Sequence, residues 1–310
     1  MRKLFWLSII CIFIIAGCGT TDEVESENNT ETEQITITHE LGQTDVPKNP
    51  ENIVVFDFGM LDTLDYLDIH ITGVPQTNIP SYLEKYSSED YENIGSLKEP
   101  DFEKISKIDP DLIIISGRQS EMYDELSKLG PVVYLGVDHT RYIDSFKENL
   151  EKIGKIFDVE DKIEDELNKI DDSISTLNEK AKKSNSNSLI ILANDDKISA
   201  YGSGSRFGLI HDVFGIPAID KNIEASTHGM NVSFEYVKEK DPDILYVIDR
   251  SAAIGEEPAA KNIVENSLMK DTKAFQNDKI IYLNADYWYL SGGGLVSMTK
   301  MIDEIDASID

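Results

Sequence analysis

The sequence predicts an α/β protein in which two similar lobes with parallel sheets are joined by a single long helix. Short runs rich in Ile and Val alternate with segments of helical spacing, which is typical of parallel sheets covered by helices. Residues 101–118 recur in altered form as residues 233–250, and a long amphipathic stretch lies between the two copies. A chain of 310 residues, 40% of them hydrophobic, is long enough for two domains.

The N-terminus has the features of a secretory signal. Arg2 and Lys3 precede an apolar run, residues 4–15, that is shorter than a membrane-spanning helix requires. The run ends in Ile-Ala-Gly-Cys18, which resembles the lipobox of bacterial lipoproteins, whose cysteine is lipidated and becomes the mature N-terminus. We expect a signal peptide over residues 1–17 and lipidation at Cys18, since two acyl chains anchor a protein stably. An ordinary signal peptide followed by a chance cysteine is the alternative.

The next two segments are a tether and a first lobe. Residues 18–34 are rich in Thr, Glu, Asn and Ser, and they bury too little apolar surface to fold, so we expect a flexible tether that begins at the lipidated cysteine. Residues 35–142 form the predicted N-terminal lobe. Its first residues alternate as Ile-Thr-Ile-Thr, which indicates a half-buried strand. Three buried strands are predicted at Ile53–Phe56, Leu112–Ile115 and Val132–Leu135.

A linking region is predicted over residues 143–187. Apolar residues recur there every three or four positions on a charged background, which predicts one amphipathic helix over about residues 159–183. At 1.5 Å per residue this helix is roughly 36 Å long, which suits a rigid connector between lobes. A surface helix of one domain is the alternative. Residues 188–310 form the predicted C-terminal lobe, with buried strands at Leu189–Leu192, Ile244–Ile248 and Ile280–Leu283.

The internal repeat relates the two lobes. Residues 101–118 read DFEKISKIDPDLIIISGR and residues 233–250 read SFEYVKEKDPDILYVIDR. Each unit predicts a helix that ends at Asp-Pro, because proline cannot continue a helix, then a buried strand and an Arg beyond it. The identical pairs are Phe102/Phe234, Glu103/Glu235, Asp109/Asp241, Pro110/Pro242, Asp111/Asp243 and Arg118/Arg250. We therefore expect two similarly built lobes that face each other across a pseudo-two-fold axis.

Three arginines are candidates for ligand binding. Arg118 and Arg250 follow strands, and ligands of parallel sheets bind beyond the carboxyl ends of the strands. Arg206 lies in the turn Gly202–Gly208, whose glycine spacing is one residue too long for the dinucleotide fingerprint. A surface ion pair is the alternative for each of them. The forked, permanently charged guanidinium suits anionic oxygens, so the three together predict a cleft for a multiply anionic small molecule.

A His and a Tyr are candidates for contact with a metal. His228 lies in a loop before the second repeat unit, and Tyr287 and Tyr289 precede the glycine run 292–294. A solvated loop His and core aromatics are the alternatives. Imidazole together with phenolate suits ferric iron, and the sequence leaves open which Tyr faces the cleft.

Composition excludes several classes of function. The formal net charge of -29, from 29 basic and 58 acidic residues, excludes non-specific nucleic-acid binding and charge-driven adhesion to an anionic membrane. Cys11 would leave with the signal and Cys18 would carry lipid, so the mature chain has no free thiol for a cluster. His211 and His228 have no recognisable nucleophile motif beside them. We therefore expect no enzyme; a metal-dependent oxidoreductase of the same architecture is the alternative.

These residues carry a family resemblance that covers the mature chain. The lipobox, the opening ITITHELGQTDVPKNPENIVVFD, the two repeat units, the long helix, the STHG segment and the YWYLSGGG segment resemble the siderophore-binding lipoproteins of bacterial iron ABC importers. The resemblance is strongest to the ferric-catecholate or petrobactin type. It implies a class III substrate-binding protein, in which two Rossmann-like lobes bridged by a rigid helix hold the ferric siderophore between them.

The resemblance also implies roles for individual residues. Arg118, Arg206 and Arg250 would bind the catecholate oxygens, and His228 with Tyr289, or its rival Tyr287, would complete the coordination of iron. Glu103 and Glu235 would dock the two lobes onto a permease.

The implied protein has no intrinsic cofactor and binds Fe(III) only as the siderophore complex. Its partners would be an ABC permease and the permease's ATPase. It would be extracytoplasmic and monomeric, held at the membrane by its lipid anchor alone. A haem or cobalamin carrier on the same scaffold is the alternative.

Overall fold

The computed structural model describes residues 33–195, 197–257 and 259–309, which belong to one compact unit. The predicted signal peptide and the lipidated Cys18 lie outside the described residues. The strands are β1 (Gln34–His39), β2 (Gly42–Pro47), β3 (Ile53–Val55), β4 (Gly73–Val74), β5 (Glu92–Asn93), β6 (Leu112–Ile115), β7 (Val132–Tyr134), β8 (Ser188–Asn194), β9 (Lys197–Tyr201), β10 (Met230–Val232), β11 (Ile244–Asp249) and β12 (Ile280–Leu283).

The helices alternate with these strands along much of the chain. They are α1 (Phe58–Tyr66), α2 (Phe102–Ile108), α3 (Tyr123–Leu126), α4 (Tyr142–Phe157), α5 (Glu160–Ser184), α6 (Leu209–Asp212), α7 (Phe234–Lys240), α8 (Arg250–Ala253), α9 (Ala260–Val264), α10 (Lys273–Gln276) and α11 (Leu295–Ser308). Short 3-10 turns occupy Ser81–Ser87, Gly117–Met122, His139–Arg141 and Met269–Asp271, and a π-helical turn occupies Asp286–Leu290. Within the described ranges, no helix combines the length and the apolar character needed to cross a membrane.

Two five-stranded sheets confirm the α/β prediction. The first has the order β5-β4-β3-β6-β7 and is parallel throughout, with the antiparallel hairpin β1-β2 outside it. The second has the order β10-β9-β8-β11-β12, in which β8, β11 and β12 are parallel while β9 and β10 are antiparallel. The second sheet is therefore mixed, because it adds two antiparallel strands to the predicted parallel ones. Strand β9 begins three residues after β8 ends, and so short a connection allows only a hairpin.

The two repeat units occupy the same place in the two sheets. Strands β6 and β11 are each fourth in order, beside β3 and β8 respectively. Helices α2 and α7 end at Asp109 and Asp241, whose φ angles of 54° and 48° are left-handed. The Asp111 carboxylate accepts a hydrogen bond from the Asn52 amide at 2.8 Å, and Asp243 accepts one from the Asn187 amide at 3.1 Å. The Asp-Pro-Asp motif therefore ends a helix and joins the following strand to its neighbour in both lobes.

Helix α5 is the predicted connecting helix. It runs over Glu160–Ser184, one residue displaced from the predicted span, and it packs against α4 and α11. Its buried face consists of Ile163, Ile170, Leu177 and Ala181. Acidic residues in its first turn and lysines in its last turn complement the helix dipole.

A second connection between the lobes was not predicted. The Asp62 carboxylate on α1 accepts hydrogen bonds from the backbone amides of Val296 (3.3 Å) and Ser297 (3.0 Å), and Thr63 Oγ1 accepts one from the Leu295 amide at 3.1 Å. These bonds satisfy amides that a helix N-terminus leaves free, so α1 caps α11. We call residues 62–63 with residues 294–297 the interlobe cap. A Cβ at Gly294 would overlap an Asp62 oxygen, so the close approach requires glycine there.

Candidate functional site

A cavity of about 770 Å³ lies between residues of the two sheets. On the N-terminal side, its wall comes from the segments that follow β3, β6 and β7. On the C-terminal side, the wall comes from the turn after β9, the loop before β10 and the π-helical turn. The parallel strands thus present their carboxyl ends to the cavity, as expected for this sheet type.

Two of the predicted arginines meet inside this cavity. Arg118 Nη2 and Arg206 Nη2 both donate hydrogen bonds to the backbone oxygen of Tyr289, at 2.9 and 2.7 Å. In the chain, Arg118 is 171 positions and Arg206 is 83 positions away from Tyr289, so the fold brings distant residues together here. Two guanidinium groups from opposite sides of the cavity therefore converge on one carbonyl, and both line the cavity.

The electrostatics of Arg118 reflect this crowding. Its pKa is lowered, chiefly by burial and then by the charge of Arg206, while Asp57 opposes the shift. Asp57 is itself buried, which raises the pKa of its carboxyl against the opposing hydrogen bond from Ser116. Asp57 also caps α1 by accepting a hydrogen bond from the Met60 amide at 2.9 Å. Asp57 is therefore the main counter-charge of Arg118, with a smaller contribution from Tyr289, and Asp57 has a structural role of its own.

The turn that carries Arg206 is fixed by its glycines and by the next loop. A Cβ at Gly208 would lie 2.7 Å from the Gly202 carbonyl oxygen, so the turn folds back on itself only with glycine at that position. The Arg206 amide donates to the Ser226 carbonyl at 3.3 Å. The Ser226 amide donates to Ser205 Oγ at 3.2 Å. The glycine-rich turn and the loop of the candidate His are therefore one connected unit.

Tyr289 combines a partly buried phenol with two cationic neighbours. Its ring centroid lies 4.2 Å from the Arg206 guanidinium carbon, within the range of a cation–π contact. Burial opposes ionisation of the phenol, but Arg206 and Arg250 outweigh it, so the pKa of Tyr289 is lowered. A phenol that ionises more readily is a better donor to a hard ferric ion.

The rival Tyr287 lies elsewhere. It is absent from the cavity wall, and its ring packs against Tyr82 at 4.9 Å between centroids. Burial raises the pKa of Tyr287. Position and ionisation both favour Tyr289 as the candidate iron ligand.

Arg250 stands behind Tyr289 and is not among the residues that line the cavity. Its Nη1 donates to Asn194 Oδ1 at 3.0 Å, and its guanidinium also contacts the Tyr289 phenol. Of the three predicted arginines, two therefore line the cavity directly, and the third acts on it through Tyr289.

His228 is exposed and lies in the cavity wall. Its backbone is held on both sides, because its amide donates to Ser226 Oγ at 3.1 Å and its carbonyl accepts a hydrogen bond from the Tyr201 hydroxyl at 3.0 Å. Among the residues that the structure describes, no group of three or more His, Cys, Asp and Glu side chains is arranged to hold a metal ion.

Sequence reasoning missed several residues of the wall. Asp57 directly follows the predicted strand Ile53–Phe56, and His139 lies a few residues beyond Val132–Leu135. The strand-end rule that selected Arg118 would also have found both of them. Glu40 and Lys98 come from turns outside the parallel strands, so no signal in the sequence indicated them.

The two glutamates of the repeat lie outside the cavity, at matching places. Glu103 and Glu235 each occupy the second position of a helix, α2 and α7, and both are exposed. Glu103 pairs with Lys107 at 2.7 Å across one helical turn. The pKa of Glu235 is lowered by a hydrogen bond from its own amide and by Ser233, which caps the helix.

Comparison with known proteins gives a consistent result. A family model described as a periplasmic binding protein matches residues 53–287. The petrobactin-binding protein YclQ of Bacillus subtilis is 51% identical over the whole of both chains. Its crystal structure superposes with a TM-score of 0.88 at 55% identity, covering 89% of this chain and 98% of that one.

Two further solved structures are similar. The periplasmic catecholate-siderophore binding protein VctP of Vibrio cholerae has a TM-score of 0.85 at 32% identity, covering 89% of this chain and all of that one. The siderophore-binding protein BauB, solved with two acinetobactin molecules and ferric iron, has a TM-score of 0.82 at 30% identity, covering 89% and 98% of the two chains.

Proposed function

Because the chain belongs to the periplasmic binding protein family, whose members bind substrates and are not enzymes, we propose that it captures a ferric siderophore of the catecholate type and delivers it to an ABC permease. Ferric catecholates carry multiple negative charges. The cavity between the two sheets is the proposed binding site.

The observation that carries this proposal is the meeting of Arg118 and Arg206 at the Tyr289 carbonyl. Two like charges held together in a partly buried place repel each other, and burial strengthens the repulsion because the local dielectric is low. An anionic ligand relieves this repulsion, and a guanidinium fork binds anionic oxygens through paired hydrogen bonds. The cavity is therefore preorganised for an anion with several oxygens.

Iron coordination is proposed to use one residue from the π-helical turn and one from the loop before β10. The siderophore supplies most of the oxygen donors, and the Tyr289 phenolate and the His228 imidazole complete the coordination sphere. Arg206 and Arg250 assist by lowering the pKa of the phenol. Tyr287 is proposed to have no contact with iron, because it packs against Tyr82 instead.

Docking is proposed to use Glu103 and Glu235, one from each repeat unit. Both are exposed at the starts of equivalent helices, so they offer two acidic contacts for basic residues of a permease, which works with its ATPase. We further propose that the protein is extracytoplasmic and monomeric and that lipid on Cys18 anchors it to the membrane.

A fluorescence titration tests the ligand class. Trp288 lines the cavity and is the only tryptophan beyond the predicted signal peptide. A ferric catecholate should quench its emission at sub-micromolar concentration, while a ferric hydroxamate of similar size should not. Quenching by the hydroxamate alone would refute the catecholate assignment. An absorbance titration that shows binding of haem or cobalamin, without binding of any ferric siderophore, would refute the proposed function.

A further inference from the structure

His139 lies in the wall of the cavity, in the short turn that follows β7. It comes from the N-terminal side, whereas His228 comes from the C-terminal side. Burial is the main cause that lowers the pKa of its imidazole, and the nearby charge of Arg206 lowers it further, with Asp138 opposing. The ring is therefore a neutral group that faces the arginine region.

Among the described residues, His139 and His39 each have a buried Nδ1 that is unpaired, and of these two histidines only His139 lines the cavity. By contrast, Nδ1 of the partly buried His211 contacts the Ile216 carbonyl oxygen at 2.8 Å. Leaving a buried polar atom unpaired typically carries a free-energy penalty, so such an atom calls for a structural or functional explanation.

The neighbours of His139 do not supply the missing partner. Asp138 is committed to Thr140, because its Oδ1 accepts hydrogen bonds from the Thr140 amide at 2.9 Å and from the Thr140 hydroxyl at 2.7 Å. The Tyr142 ring lies 6.4 Å away between centroids. Because Nδ1 makes no hydrogen bond, rotation of the imidazole by 180° about its Cβ–Cγ bond would break no hydrogen bond of that nitrogen.

We infer that His139 is a ligand-binding residue of the N-terminal lobe, whose neutral imidazole donates a hydrogen bond to an anionic oxygen of the bound ferric siderophore. The inference rests on the proposed function and adds a second ligand contact, beside Arg118, from the N-terminal lobe. A neutral donor suits this place, because a further positive charge beside Arg118 and Arg206 would increase the repulsion in the empty cavity.

Two substitutions of His139 separate hydrogen bonding from shape. His139→Phe keeps a flat ring without nitrogen, and His139→Gln keeps a neutral N–H donor. The matched control is His70→Phe, because His70 is exposed and lies outside the cavity. The probe is the ferric complex of a synthetic bis-catecholate, titrated by Trp288 fluorescence into the mature chain. Urea unfolding of each ligand-free variant is measured in parallel.

We expect the dissociation constant to rise about tenfold or more for His139→Phe, because a hydrogen bond to a charged group is lost. It should stay within about threefold of wild type for His139→Gln and be unchanged for His70→Phe. The urea midpoint of ligand-free His139→Phe should equal or exceed that of wild type, because an unpaired nitrogen is removed. Unchanged affinity of His139→Phe, or an equal loss in both variants at position 139, would overturn the inference.

A spectroscopic measurement on the wild-type chain covers the case in which a variant fails to fold. The imidazole nitrogens of His139 are followed by NMR while the diamagnetic gallium bis-catecholate is added. A hydrogen bond should shift the resonance of the donating nitrogen, and the absence of any shift at saturation would overturn the inference. If wild type binds none of these complexes, the proposed function itself fails, which is a different result.

Discussion

The interlobe cap makes the stability of the protein depend on the protonation of Asp62. This carboxyl is 1% exposed, and burial raises its pKa to about 7 although the Ser297 amide, the Tyr82 hydroxyl and the Val296 amide donate hydrogen bonds to it. In the unfolded chain the same group has its ordinary pKa of 3.8. Between these two values the folded state holds a proton that the unfolded state has lost.

The sign of the effect follows from this difference in bound protons. Stability falls as pH rises wherever the folded state binds more protons than the unfolded state. The contribution of Asp62 is therefore most favourable below the unfolded pKa and is lost as pH rises through the folded pKa. A difference of about three pK units corresponds to about 4 kcal/mol in total, of which about 3 kcal/mol falls between about pH 5 and about pH 8.

Urea unfolding of wild type and Asp62→Asn, followed by Trp288 fluorescence, measures this contribution. The amide does not titrate, so wild type should lose about 3 kcal/mol relative to the variant between about pH 5 and about pH 8. The amide also has one acceptor fewer than the carboxyl. This loss changes the free energy of unfolding of the variant by the same amount at both pH values, so it does not affect the comparison. The matched control is Asp68→Asn, since Asp68 is exposed just beyond α1 with a φ of 61° that Asn tolerates. If the free energies of unfolding of wild type and Asp62→Asn differ by the same amount at both pH values, the reasoning is refuted.

Three further predictions concern binding, packing and docking. Tyr289→Phe should weaken binding of a ferric catecholate about tenfold or more and remove any phenolate-to-iron absorption band, while Tyr287→Phe should leave both unchanged; equal effects in a spectrophotometric titration would contradict the assignment of Tyr289. Gly294→Ala should lower the free energy of unfolding by about 1–3 kcal/mol because its Cβ overlaps atoms of α1, and an unchanged urea midpoint would contradict the tight contact. Charge reversal of both Glu103 and Glu235 should abolish iron uptake by cells while leaving ligand affinity intact, so uptake that survives would show that docking lies elsewhere.

The repeat and the connecting helix were predictable because local sequence decides them. Proline after Asp109 and Asp241 ends each helix wherever the segment lies in the fold. The periodic apolar residues of α5 likewise select one helix face for burial. The antiparallel direction of strand β9 was not predicted. It depends on the short connection between β8 and β9, a feature that apolar composition does not indicate.

The candidate site was predictable only in part. The strand-end rule selected Arg118, which lies in the cavity, and Arg250, which lies behind Tyr289. Both follow equivalent strands of the repeat, so no local feature distinguishes them. The difference arises because Asn194 and Tyr289, both remote from Arg250 in the chain, contact its guanidinium.

The sequence by itself determined the class of fold, the repeat, the connecting helix and the cationic, aromatic character of the candidate cleft, because periodicity, proline and residue type act locally. The tertiary structure alone decided which side chains face one another. Tyr287 and Tyr289 are two residues apart, so they lie on different sides of one helical turn. Tyr287 packs against Tyr82 of the N-terminal lobe and therefore does not face the cavity. The same long-range packing placed Gly294, the last residue of the glycine run, in the interlobe cap. It also left His139 in the cavity wall with an unpaired nitrogen.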